Sequence, residues 1–116
     1  MDLNDYAFQS HMDNIKWWQD PVTQQPIQRN KGELIALIHS ELSECLEGER
    51  RNIMDDKLPH RRMAEVELAD ALIRIFDYAG AFGYDLQGSY EEKRAFNKIR
   101  ADHQHETRLK HGGKAF

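Results

Sequence analysis

Residues 33–50 read ELIALIHSELSECLEGER, and this stretch decides the fold. Leu34, Leu37, Ile38, Leu42, Cys45 and Leu46 recur at spacings of three and four, the period of one apolar helical face. Asn30, followed three residues later by Glu33, is a capping-box start in which the Asn side chain accepts from the first unpaired amides. A helix is therefore expected over 31–51. Glu41 breaks the pattern, because it lies four residues after Leu37 and four before Cys45, inside the stripe. Glu44 follows one turn later, about 5–6 Å away at Cβ. Two like charges at the edge of a core destabilise the fold unless a positive group holds them.

Outward from that helix, residues 62–82 carry Glu67 and Asp70 at the same i, i+3 spacing, with Val66 and Ile73 beside Asp70. Pro59 suits the first helical position and Gly83 a left-handed C-terminal cap, so this helix is expected over about 60–82. A reversal across residues 51–59 makes the two helices antiparallel and sets both acidic pairs at a similar height, given about 1.5 Å rise per residue. Axes about 8–10 Å apart then aim four carboxylates into one gap. Hard oxygen donors around a small space suit Mg²⁺, with Mn²⁺ as the alternative. Glu41, Glu44, Glu67 and Asp70 are thus the candidate metal ligands. The competing reading pairs them with Arg61, Arg62 and Arg74 on the same helices. Twenty acids among 116 residues make any single ExxE motif weak, so the weight falls on the conjunction of two pairs beside apolar stripes. Asp77, two turns past Asp70, is expected in solvent.

The remaining chain is read as two further helices. Residues 3–18 form the first, closed by Trp17 and Trp18 before Asp20-Pro21, since the residue preceding proline avoids helical dihedrals. One tryptophan is expected to pack while the other, with Trp17 as the candidate, stacks on a nucleobase. Ser89 with Glu92 opens a fourth helix over 89–106. Along it Lys93, Asn97 and Arg100 make one polar, basic stripe. The tail HGGKAF is no Walker loop, because the spacing differs and no helix follows. A polyphosphate would be held by metal ions and by Lys93, Arg100 and Lys114. The six histidines show no zinc-ligand spacing, and His11 is expected on the surface. The result is an all-α, four-helix, bundle-like fold in a single domain over 1–116.

Composition narrows the function classes. A net charge of −4 argues against a broad surface for a nucleic acid polymer. No apolar run approaches the roughly 20 residues that span a membrane. The N-terminal MDLNDYAFQ is acidic, unlike a signal peptide. The single Cys45, on an apolar face, fits a core residue in a reducing, cytoplasmic setting.

Glu41-Leu-Ser-Glu44, a gap of twenty-two residues and Glu67-Leu-Ala-Asp70 resemble the ExxE…ExxD pattern of MazG-like all-α nucleoside triphosphate pyrophosphohydrolases. The flanks agree in RNKGELIALIHSELSECLEGER, LPHRRMAEVELADALIRIFDYAGAFGYDL, and KRAFNKIR followed by HGGKAF, a match over about residues 14–116 that is closest to small single-domain members. The resemblance implies hydrolysis of nucleoside triphosphates, deoxynucleotides foremost, to a monophosphate and pyrophosphate, serving to clean or balance the pool. It implies Glu41, Glu44, Glu67 and Asp70 as Mg²⁺ ligands, with Lys93 and Asn97 on phosphates and Arg100 and Lys114 in related roles. It also implies a homodimer or homotetramer with sites near the subunit interface. Arg74 stands where some relatives place a tyrosine or another residue near the substrate. From the chemistry of the acids, Glu41 or Glu44 takes the proton of the attacking water. Two rivals remain: the same fold restricted to dUTP, dCTP, phosphoribosyl-ATP or an alarmone, and a non-catalytic helical interaction module whose acids meet a basic partner.

Overall fold

The computed structural model describes residues 1–100. It is all-α, and among the described residues only isolated bridges, Gln19 with Pro26 and Met54 with Arg62, interrupt helix and loop. Four α-helices follow in order: α1 (Leu3–Asp13), α2 (Lys31–Arg51), α3 (Met63–Phe82) and α4 (Leu86–Ile99), with a 3-10 turn (Ile15–Trp18) after α1. The chain divides into two compact units, Met1–Tyr84 and a second that begins at Asp85 and holds α4. In the first unit α3 is central, packing against both α1 and α2.

The boundaries of α2 fall where periodicity placed them. Asn30 Oδ1 accepts from the Glu33 amide at 3.0 Å, and Asn52 closes the helix in the left-handed region at φ 50°. Gly83, at φ 68°, caps α3 with its N–H donated to the Ala79 carbonyl, as its lack of Cβ permits.

Three boundaries differ from expectation. The first helix stops at Asp13, where Asn14 leaves helical dihedrals at φ −108° and ψ 11° and its Nδ2 joins its own N–H in donating to the Ser10 carbonyl, at 2.8 Å and 3.1 Å. Pro59 does not open α3. Residues after it pair back across the turn instead: the Asp55 amide donates to the Arg61 carbonyl at 2.8 Å and the Met63 amide to Ile53 at 3.1 Å. The Asp55 carboxylate, 7% exposed, accepts from the amides of Lys57 and Leu58 and organises that turn. The last helix is capped by Asp85, which accepts from the Gly88 amide at 2.9 Å, so Ser89 lies inside α4. An acid placed just after the Gly83 cap reaches the free amides first. The part of the expected fourth helix beyond residue 100, with His103, His105 and Lys114, lies outside the described residues.

The helices approach on small residues. Ala64, Ala71 and Ala79 of α3 are buried, as is Ala7 of α1. Gly48 of α2 lies against Ala64 and Met63, while Glu41 meets Arg74, so α2 and α3 are antiparallel. On the other side a Cβ at Gly80 would collide with the Ala7 carbonyl oxygen and come within 2.9 Å of His11 Cβ. Gly80→Ala is therefore expected to force α1 off α3 and cost about 1–3 kcal/mol, read as a lower urea midpoint with an unchanged slope.

Close approach on alanine and glycine leaves little apolar surface to bury. The expected stripe on α2 is only partly inward: Leu34 is buried, Leu37, Ile38 and Cys45 are half-buried, and Leu42 and Leu46 are 47% and 61% exposed. One neighbouring helix covers a narrower face than six positions span. Leu68 and Leu72 of α3, one turn apart, are each 50% exposed.

Candidate metal centre

Glu41, one turn from Leu37 and one from Cys45, rides the face of α2 that meets α3. Its side chain is 15% exposed. Glu67 and Asp70 occupy the facing side of α3, and both are half-buried. The three residues each offer a carboxylate oxygen, all within 4.8 Å of one another. Cations of this class hold oxygens at roughly 2.0–2.6 Å, so small rotamer adjustments bring the three donors onto one ion. The donor set is wholly oxygen and anionic, which suits Mg²⁺, Mn²⁺ or Ca²⁺ and disfavours softer metals.

Glu44 stands outside this triad. It is exposed, and with Glu67 and Asp70 it lines a cavity of about 830 Å³ bordered by the 53–58 turn. A second cavity, about 500 Å³, opens beside Glu41 and Asp70, within the roughly 300–1,000 Å³ range of small-molecule sites. Asp70 lines both.

Trp17, 60% exposed, lines the 500 Å³ cavity with Asn14, Arg29 and Asp77. Its neighbour Trp18 is 8% exposed. The 3-10 turn separates the two rings, one into the core and one to the cavity. The loop after it folds back, with the Ile27 amide donating to the Trp18 carbonyl at 2.9 Å. Arg29 then lies over the Trp18 ring, 4.9 Å from its centroid. Within that loop the Asp20 carboxyl is held below its ordinary range by the amides of Thr23 and Val22.

Asp77 is not in solvent. Its Oδ1 lies 2.9 Å from His11 Nδ1 and accepts from Trp18 Nε1 at 3.1 Å, and its side chain is 14% exposed. His11 is likewise drawn inward, with its ring against the edge of Trp18. Helical spacing alone carried no signal for this cluster, because His11 and Asp77 are 66 residues apart.

Of the three arginines that compete for the acids, one takes a triad member. Arg61 reaches Glu65 at 3.4 Å, and Arg62 donates to Asn52 Oδ1 at 2.6 Å. Arg74 Nε donates to Glu41 Oε1 at 3.3 Å. Comparison with protein-family models, curated proteins and solved structures returns no match. The site is therefore read from its own chemistry.

Crowding of the carboxylates shows in their proton affinities. Burial, then a hydrogen bond with Glu41 and its charge, then the charges of Asp70 and Glu44, raise Glu67 from its ordinary 4.5 to about 7. Burial and the charge of Glu41 also raise Asp70, with Arg74 opposing. Between about 4.5 and about 7 the folded Glu67 holds more protons than the unfolded chain, so its contribution to stability is lost as pH rises through that window. Discounted for solvent screening, the effect is about 1 kcal/mol. In metal-free buffer the melting-temperature difference between wild type and Glu67→Gln is expected to widen in the variant's favour from pH 5 to 7.5. A pH-independent difference would contradict the crowding.

Lys93, Asn97 and Arg100 lie on or at the end of α4 in the second unit. Lys93 and Asn97 share a face one turn apart. Lys93 Nζ sits 4.8 Å from the Phe96 ring centroid. Among the described residues, Asn97 Oδ1 is a buried side-chain atom with no hydrogen-bond partner.

Proposed function

We propose that this protein is a Mg²⁺-dependent nucleoside triphosphate pyrophosphohydrolase of the MazG-like type, with Mn²⁺ as an alternative ion. The observation that carries the reading is the convergence of Glu41, Glu67 and Asp70 beside a cavity faced by an exposed tryptophan. Burial and the nearby charge of Glu41 raise the proton affinity of Glu67 and Asp70 in this half-buried gap, and perturbed acids clustered beside a cavity mark a candidate working site.

A divalent ion bound there would neutralise triphosphate charge and acidify a bound water. The chain's own residues do the rest. Glu41, Glu67 and Asp70 would hold the ion, and Trp17 would stack on the base. Glu44, outside the triad, accepts the proton of the attacking water as its oxygen bonds to the α-phosphorus. The bond from that phosphorus to the bridging oxygen breaks, and pyrophosphate leaves with the electron pair. Positioning and electrostatics suffice, and no covalent intermediate is required.

Pyrophosphate release from ribo- and deoxynucleoside triphosphates, dUTP, dCTP and phosphoribosyl-ATP, with Mg²⁺ and with chelator, tests the reading and resolves its substrate. Release that needs Mg²⁺ supports it. Folded protein that releases none from any of them overturns it.

The partner in this reading is a second copy of the chain. Among the described residues no large side chain is fully buried, and Leu42, Leu46, Leu68 and Leu72 remain 47–61% exposed on the α2–α3 hairpin. Such a thin core gains stability by self-association. Light scattering is expected to give a dimer or tetramer at micromolar concentration, and Leu46→Lys with Leu72→Lys to shift it toward monomer. A wild-type monomer would refute the association.

A further inference from the structure

The Arg74 guanidinium sits where a cation would act. Arg74 follows Asp70 by one turn of α3, on the same face. It reaches across to α2 through one contact, Nε to Glu41 Oε1 at 3.3 Å. This is not the bidentate fork that makes arginine–carboxylate pairs strong. Among the described residues Arg74 makes no other hydrogen bond. Its side chain is 41% exposed while that of Glu41 is 15% exposed, so the arginine is the partner with open space to turn into. Both line the cavity of about 500 Å³, together with Trp17, Arg29 and Asp70.

We propose that Arg74 is a displaceable counter-ion: it neutralises Glu41 until a divalent cation takes the triad, then turns into the cavity to bind the phosphates of the nucleotide. The inference rests on the triad being a cation site and goes beyond it by giving Arg74 two alternative partners. Three carboxyl groups within 4.8 Å favour positive charge nearby whether or not an ion is bound, and Arg74 is the cation in contact with one of them. A long, part-exposed side chain with one single-point contact of 3.3 Å supplies it and is readily released. Once released, its planar fork fits phosphate oxygens better than a lysine would. Cation loading and nucleotide binding are thereby coupled, each favouring the other.

The experiment uses the full chain and two ligands, Mn²⁺ alone and a non-hydrolysable α,β-imido triphosphate with saturating Mn²⁺. Arg74→Gln removes the competing charge and is expected to tighten Mn²⁺ binding about 10-fold, while weakening the analogue about 10-fold. Arg74→Lys, which keeps the charge, is expected to bind Mn²⁺ within about three-fold of wild type. Circular dichroism confirms that each variant is folded, and Arg74→Met replaces Arg74→Gln if the latter is not. Mn²⁺ binding by wild type with unchanged or weaker binding by Arg74→Gln overturns the proposal alone. Analogue affinity unchanged in Arg74→Gln also overturns it, since the released arginine then holds no phosphate. Absence of Mn²⁺ binding by wild type removes both this inference and the metal reading beneath it.

Discussion

Glu41→Gln is expected to reduce pyrophosphate release by roughly 10²–10³-fold, the loss seen when one group that stabilises developing charge is removed. Glu41 carries this effect because it is the α2 member of the triad and faces Glu67 and Asp70 across the helix pair. The substitution keeps the shape and the packing. It removes one negative charge from a crowded set in which Glu41 is the main charged neighbour raising Glu67 and Asp70. Metal-free stability should therefore hold or rise while activity falls. A functional site is held at some cost in stability, so the two properties move in opposite directions there. Parallel thermal melts and pyrophosphate assays measure both. Activity within threefold of wild type, with an unchanged Mg²⁺ requirement, would sink the proposed site.

The adjacent tryptophans are expected to fail in opposite ways. Trp18→Ala removes a ring that is 8% exposed, lies edge-on to Phe82 at 5.7 Å, and donates Nε1 to Asp77. Truncating a buried aromatic costs about 3–5 kcal/mol. Against a total stability of roughly 5–15 kcal/mol, such a loss unfolds much of the population on mild heating. It also leaves Asp77 with His11 as its partner and loosens the wall behind the cavity. Trp17→Ala removes a ring 60% exposed, so its denaturation midpoint should barely move. Its effect belongs to binding, since stacking on one base is worth about 1–3 kcal/mol, or roughly 5- to 150-fold in affinity. Denaturant titrations and nucleotide-analogue binding separate the two. A stable Trp18→Ala, or Trp17→Ala with full nucleotide affinity, would contradict this division of labour.

Local chemistry made much of the helical framework legible. The Asn30 cap, the end of α2 at residue 51 and the left-handed Gly83 follow from residues within one turn of each boundary. Where a boundary was missed, a nearby polar group offered the backbone another partner. Asn14 bonded back to Ser10, Asp55 folded the inter-helix turn, and Asp85 reached Gly88 before Ser89 had an amide to cap. These are contests between local hydrogen bonds of similar strength, and periodicity does not rank them.

What the sequence by itself determined is the set of helices and their motifs: an all-α chain, two apolar helices, and an acidic pair beside the apolar stripe of each. Only the tertiary structure decided who meets whom. It brought Glu41, Glu67 and Asp70 together and left Glu44 at the neighbouring cavity. It set Arg74 rather than Arg61 or Arg62 on Glu41, joined His11 to Asp77, and left Leu42 and Leu46 uncovered. The reason is geometric. A helix repeats every 3.6 residues, so spacing tells which side chains share a face. The exact rotation of one helix against another depends on where Gly48 and Gly80 let backbones approach, and that is set by residues far apart in the chain.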